Sequence, residues 1–242
     1  MDVFLDSARE ALRLLLSGSR DLLDIVALSL RVSGAALAVG VAIGMPLGVW
    51  VGLKRFPGRR FVVAAIHTGF ALPPVVVGLL VYMMLSRRGP AGGMQLLFTP
   101  TAIVIAQAIL AAPYVAGISL AAVQAVSPDV RLQARALGAS RGRALWAHLR
   151  EARLGLVAAI VAGFGAVISE VGAVTMVGGN ILGETRVMTT AIVLETRRGN
   201  FVPAMALGLV LLLLAFAVNL ALTRAQQGSE RTRVDAAVHP WS

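Results

Sequence analysis

Five blocks of apolar residues, set apart by short arginine-bearing segments, dominate the chain: Val32–Leu53, Phe61–Leu85, Ala102–Val126, Leu154–Val177 and Phe201–Thr223. A helix needs about 20 mainly apolar residues to cross the hydrocarbon of a bilayer, and each block is long enough. Glu170 is the only charged residue inside any of them. Ahead of the first block the period changes. Phe4, Ala8, Ala11, Leu12, Leu15 and Leu16 recur at helical spacing, with Asp6, Arg9, Glu10 and Arg13 between them. This pattern predicts an amphipathic helix over residues 3–16, either lying on a membrane surface or packed on the bundle. The expected fold class is an all-α membrane protein: five transmembrane helices plus an N-terminal amphipathic helix. The expected organisation is that helix over residues 1–21, a membrane domain over 22–223 and a cytoplasmic tail over 224–242.

The connection between the third and fourth blocks, residues 127–154, is the longest with structure of its own. Ser127-Pro128 is a helix start, a capping side chain followed by proline at the first helical position. Val130, Ala134 and Leu137 share one face, Gly138 ends that helix, and Ser140 caps a second helix carrying Ala144, Leu145, His148 and Leu149. A helix–glycine–helix hairpin with an apolar stripe fits a partner's groove; an amphipathic loop resting on lipid head groups has the same pattern.

Within the blocks, Pro46, Pro73, Pro74 and Pro113 are positions where a span is expected to break or kink. Gly34, Gly40, Gly44 and Gly48 run down the first block and permit close helix approach. Glu170 is a costly charge in a span. It either holds a gate or packs along a pathway, or it reaches the outer interface. As a carboxylate it is a poor ligand for an anion.

Composition agrees with the pattern. The chain is 57% hydrophobic and only 14% charged, against roughly 45–50% and 25% in soluble proteins. The net charge of +10 would suggest nucleic acid in a soluble protein, but here the arginines flank apolar blocks, and nucleic-acid binding is not expected. Thirteen of the 22 Lys and Arg residues fall after the first, third and fifth blocks. The positive-inside rule then places the N-terminus outside and the C-terminus in the cytoplasm of a bacterial inner membrane. There is no cysteine, hence no disulfide and no thiolate metal site; His67, His148 and His239 are too scattered for a metal centre. The only lysine, Lys54, lies between Leu53 and Arg55, so no Gly-Lys-Ser/Thr phosphate loop exists. No catalytic residue and no cofactor are expected on this chain, and any ATP would be bound by another subunit.

The stretch Ala134-Arg135-Ala136-Leu137-Gly138-Ala139-Ser140 resembles the coupling loop of type I ABC importer permeases. Leu132 and Gln133 stand where that family usually has glutamate and alanine, and its Leu-Pro ending is replaced by Leu149-Arg150-Glu151-Ala152. Leu72-Pro73-Pro74-Val75-Val76-Val77-Gly78-Leu79, Ser169-Glu170-Val171-Gly172-Ala173-Val174, Gly178-Gly179-Asn180 and Thr185–Ile192 are similar to the tungstate and molybdate group of that family. The resemblance implies an oxyanion importer, tungstate first and molybdate or sulfate as alternatives. It implies a homodimer in lipid, two cytoplasmic ABC ATPase subunits that bind ATP, and an extracytoplasmic oxyanion-binding protein. It also implies that Ala134, Leu137, Gly138, Ala139, Ser140 and Leu145 contact the ATPase, and that Pro73, Pro74, Glu170, Gly178, Gly179 and Asn180 belong to the pathway or its gate. From another class, a membrane scaffold whose basic loop binds lipid has the same composition.

Overall fold

Small residues decide how the first helix packs. In lipid, apolar surface gains nothing by leaving its solvent, so helices associate through close packing and hydrogen bonds. Helix α1 spans Arg20–Leu53 and carries two faces in register. Val39, Ile43, Leu47 and Trp50 are exposed, while Gly40, Gly44 and Gly48 are buried. A Cβ on Gly40 would come within 2.7 Å of Ala111 Cβ, and Cβ atoms on Gly44 and Gly48 would strike the carbonyls of Ala112 and Ala116. The partner is helix α4, Pro100–Ala125. Gly34, expected in the same stripe, has open space at its Cβ and takes no part. The helix begins well ahead of Val32, so Arg31 lies inside it on an exposed position.

The structure, a computed structural model, describes residues 9, 12, 13 and 20–238. Apart from Arg9, Leu12 and Arg13, the expected N-terminal amphipathic helix lies outside the described residues. The second apolar block is two helices, α2 (Arg59–Phe70) and α3 (Pro74–Leu85), bent by 98° at the break. A 3-10 turn over Gly92–Met94 precedes α4, whose first turn is capped by Thr99 Oγ1 accepting the Ala102 N–H. Then follow α5 (Asp129–Ala136), α6 (Arg141–Ile168), α7 (Gly172–Gly178), α8 (Met188–Arg197) and α9 (Phe201–Val238). Residues 224–238 of the expected tail are therefore helical. Among the described residues, four helices are long and apolar enough to span a membrane, and the bent α2–α3 pair taken as one span is a fifth. Helix α4 is central: 61% of its apolar window is buried, against 17–28% for the other three.

Of the four prolines expected to interrupt spans, only the Pro73–Pro74 pair does so. Pro46 and Pro113 sit inside unbroken helices. A single proline removes one backbone donor, which a membrane helix tolerates. Two in succession remove two donors, and Pro74 drives Pro73 out of the helical region to ψ 121°.

The fourth block differs from expectation in two ways. Its helix does not start at Leu154 but at Arg141, so the second arm of the surface hairpin and the span are one rod of 28 residues, about 42 Å long. It also stops at Ile168, and the rest of the block is the separate α7.

Candidate functional site

The two broken spans meet. Helices α3 and α7 pack so closely that a Cβ on Gly78 of α3 would approach Ala173 Cα of α7 to 2.7 Å, and one on Gly172 would approach Val75 Cγ2 to 2.9 Å. Val77, Val81, Ala173, Val174 and Val177 bury the contact together with Ile103 and Ala106 of α4. The broken ends are then supplied with partners, as backbone in a membrane requires. At the start of α3, Pro74 has no N–H, and Val76 and Val77 both donate to Pro73 O at 2.9 and 3.2 Å. At the end of α6, Gln107 Nε2, from α4, donates to Val167 O at 2.8 Å. At the start of α7, Glu170 Oε1 accepts the Ala173 N–H at 3.0 Å.

The expectation that Glu170 is a charge within a spanning helix is thereby corrected. Helix α6 has already ended, and the 9% exposed carboxylate caps the next helix, where free N–H groups and the helix dipole favour negative charge. Its carbonyl accepts from Thr189 Oγ1 at 2.8 Å, which ties the break to α8.

Gly178, Gly179 and Asn180 form the turn that closes α7. Gly179 and Asn180 have φ of 71° and 53°, the left-handed region that glycine and asparagine tolerate best. Gly178 packs on Ile103. Asn180 Oδ1 accepts from Arg186 Nε at 3.2 Å, and its Nδ2 donates to Thr190 O at 3.4 Å. Thr185 Oγ1 donates to Gly178 O and accepts the Ile181 N–H. Ser29 Oγ of α1 accepts the Met188 N–H at 2.8 Å. The turn is thus a locked loop at the end of the bundle away from the surface hairpin. Pro73, Pro74 and Glu170 lie together at the breaks, joined to that loop through α7.

The hairpin forms the other candidate site. The last turn of α5 closes as a Schellman motif: Ala139 N–H donates to Ala134 O at 2.9 Å and Gly138 N–H to Arg135 O at 3.0 Å, with Gly138 at φ 83°. Ser140 Oγ accepts the Arg143 N–H at 3.4 Å and caps α6. Leu137 is 89% exposed, and Leu145 on α6 is exposed as well. Ala134 and Ala139 are half-buried. A groove of about 500 Å³ runs between Leu53, Pro128, Leu132, Ala144 and Leu145.

Sequence reasoning missed four contributors. Leu132 and Trp146 add exposed apolar area to the hairpin. His148, passed over as a scattered histidine, is buried with Nε2 3.0 Å from Val123 O. Gln107 is buried in the first third of the third block. For the last two, a lone polar side chain in an apolar run was the available signal.

Residues 44–231 match the family described as Binding-protein-dependent transport system inner membrane component. The chain is 46% identical over 203 residues, 82% of its length and 88% of the relative's, to the "Probable anion ABC transporter permease protein" of Haloferax volcanii. It is 39% identical to the "Tungstate uptake system permease protein TupB" of Peptoclostridium acidaminophilum, over 94% of this chain and all of that one. The "Molybdenum transport system permease protein ModB" of Escherichia coli K12 is 32% identical over 69% of this chain and 76% of its own. Among solved structures, an inward-facing MetNI methionine ABC transporter chain superposes with a TM-score of 0.71 at 20% identity, covering 87% of this chain and 96% of that chain. An amino acid ABC transporter chain gives 0.68, also at 20% identity, over 88% and 96%. At such identity the likeness is one of fold alone.

Proposed function

We propose, from the premise that this chain belongs to the family of binding-protein-dependent transport system inner membrane components, that it is the permease of an importer for a tetrahedral oxyanion, tungstate first. The family is a membrane component, and the chain is not an enzyme. The observation that carries the reading is the Gly138 hairpin: a capped helix at one end of the bundle, holding Leu132 and Leu137 out where no described residue covers them. Two copies would form the pathway, with the α3–α7 breaks beside it and Glu170 holding α7 in place as part of the gate. Two ATPase subunits would seat on the hairpins through Ala134, Leu137, Gly138, Ala139, Ser140 and Leu145. A binding protein would deliver the anion at the far end. The tungstate assignment is supported by relatives described as tungstate permeases that align over most of the chain; molybdate and sulfate follow from weaker relatives.

The test is reconstitution of the chain with the ATPase and binding protein encoded beside it. Expected is ATP-dependent uptake of tungstate in preference to molybdate and sulfate, with a permease-to-ATPase ratio of one. A chain that purifies without an ATPase and supports no uptake would leave the scaffold reading in its place.

The N-terminus is placed outside and the hairpin in the cytoplasm of the inner membrane, on the arginine distribution. Gly142 and Gly93 are exposed with open space at their Cβ, so single cysteines fit there in a chain that has none. A membrane-impermeant maleimide added to intact spheroplasts is expected to label Gly93→Cys and not Gly142→Cys. The reverse result inverts the topology.

A further inference from the structure

At the hairpin end of the bundle, the segment joining α1 to α2 faces the end of α4 and the start of α5 across a cavity of about 290 Å³. Its wall carries Lys54, Arg55, Arg59 and Arg131 and no carboxylate. Some positive charge is explained by the fold, because two helices end here and leave carbonyls unpaired. Arg59 Nε donates to Val51 O at 2.9 Å, at the end of α1. His148 Nε2 lies 3.0 Å from Val123 O, at the end of α4. These two side chains satisfy the helix ends, and three cations remain. Among the described residues, Lys54, Arg55 and Arg131 have no acidic partner within ion-pair distance. His148, 2% exposed, lines the same cavity.

The position of the cavity bears on what fills it. Trp50 and Phe56 stack at 4.6 Å beside it, and Phe61 on the first turn of α2 is 82% exposed. Exposed aromatic rings at the end of a span mark the level of lipid head groups. Basic pockets between helices at that level suit the phosphate of an acidic lipid, and charge-assisted hydrogen bonds from arginine to phosphate are among the stronger ones.

We propose that this cavity binds a phosphate-type oxyanion, supplied by the head group of an acidic membrane lipid and held by Lys54, Arg55 and Arg131. Arg131 belongs to α5 while Lys54 and Arg55 belong to the α1–α2 connection, so the anion ties the surface hairpin to the bundle. The site stands on this chain's own residues and does not depend on the importer reading.

The test uses the full-length chain in nanodiscs of phosphatidylglycerol or of phosphatidylcholine alone, released and read by native mass spectrometry. Wild type is expected to retain phosphatidylglycerol, Arg55→Gln/Arg131→Gln to lose about tenfold or more of that retention, and Arg131→Lys to keep most of it. Arg87→Gln/Arg88→Gln, at the other end of the bundle, should behave as wild type, which controls for loss of overall charge. A second arm adds millimolar orthophosphate to phosphatidylcholine discs. Binding there that is lost in the double variant keeps the site and assigns it to a free ion. Retention of both ligands unchanged by Arg55→Gln/Arg131→Gln, or an equal loss in the Arg87/Arg88 control, overturns the proposal.

Discussion

Replacing Gly138 by valine is expected to leave the chain inserted in the membrane and to abolish both ATPase retention and anion uptake. Gly138 sits at φ 83°, and its Cβ position is open space, so no clash contributes and the whole effect is backbone strain. A β-branched residue in that region costs about 1–3 kcal/mol, which the Schellman closure at Ala139 and Ala134 does not offset. The chain relieves the strain by losing the turn, and α5 swings away from α6. Leu132 then no longer shares a groove with Leu145, the exposed Leu137 is displaced with it, and a small misplacement suffices to disrupt docking. The spans are held by their own backbone hydrogen bonds in lipid and stay intact. Gly142→Ala is the matched control: it is helical, exposed and unobstructed, so alanine should be neutral or stabilising by about 0.5–1 kcal/mol. Pull-down of the ATPase and vesicle uptake measure both variants. Wild-type values for Gly138→Val combined with Ala134→Arg would mean that the hairpin rests on lipid instead.

At the other site, Glu170→Ala is expected to cost transport tenfold or more while Glu170→Gln keeps most of it. The carboxylate uses one oxygen as an acceptor for the Ala173 N–H, and an amide oxygen can do the same. Alanine leaves that N–H bare in a nearly dry site. A lost cap costs about 0.5–2 kcal/mol in water, and an unsatisfied group in a membrane costs more; every 1.4 kcal/mol is about tenfold in an equilibrium. With α7 loosened, its seat on Gly78 loosens as well. Uptake rates and thermal melting of the purified complex separate the variants. A glutamine variant as inactive as the alanine one would show that the negative charge itself is needed, and the capping account would be wrong.

The outline of the fold was legible because lipid demands long apolar runs, and charge is nearly absent from them. The Gly138 turn and the Pro73–Pro74 break were legible because each is local: one residue that tolerates positive φ, one pair that lacks two donors. The break after Ile168 was not. Ser169, Glu170 and Val171 contain no helix breaker, and the run reads as continuous helix. What stops α6 comes from elsewhere in the chain: Gln107, 60 residues away, takes the carbonyl of Val167, and Gly78 leaves room for Ala173. Sequence patterns do not carry such contacts. Lone prolines misled in the opposite direction, since Pro46 and Pro113 carry the signal of a break in helices that remain whole. Of the site residues, the hairpin set was readable from capping chemistry. The polar ties of the far loop, Ser29, Thr185 and Thr190, were hidden because serine and threonine are ordinary in spans.

Because α6 runs unbroken from Arg141 to Ile168, the hairpin and the break after it are joined by a part that has a phase. Each residue along it turns the helix by about 100° and advances it about 1.5 Å. One residue gained or lost between Arg153 and Ile168 would therefore rotate Ile168 and Glu170 about a quarter turn relative to Ser140, out of reach of Gln107. A whole extra turn would restore the facing but move the break about 5.4 Å along α4. The chain between the two sites is thus a ruler whose length is specified to the residue.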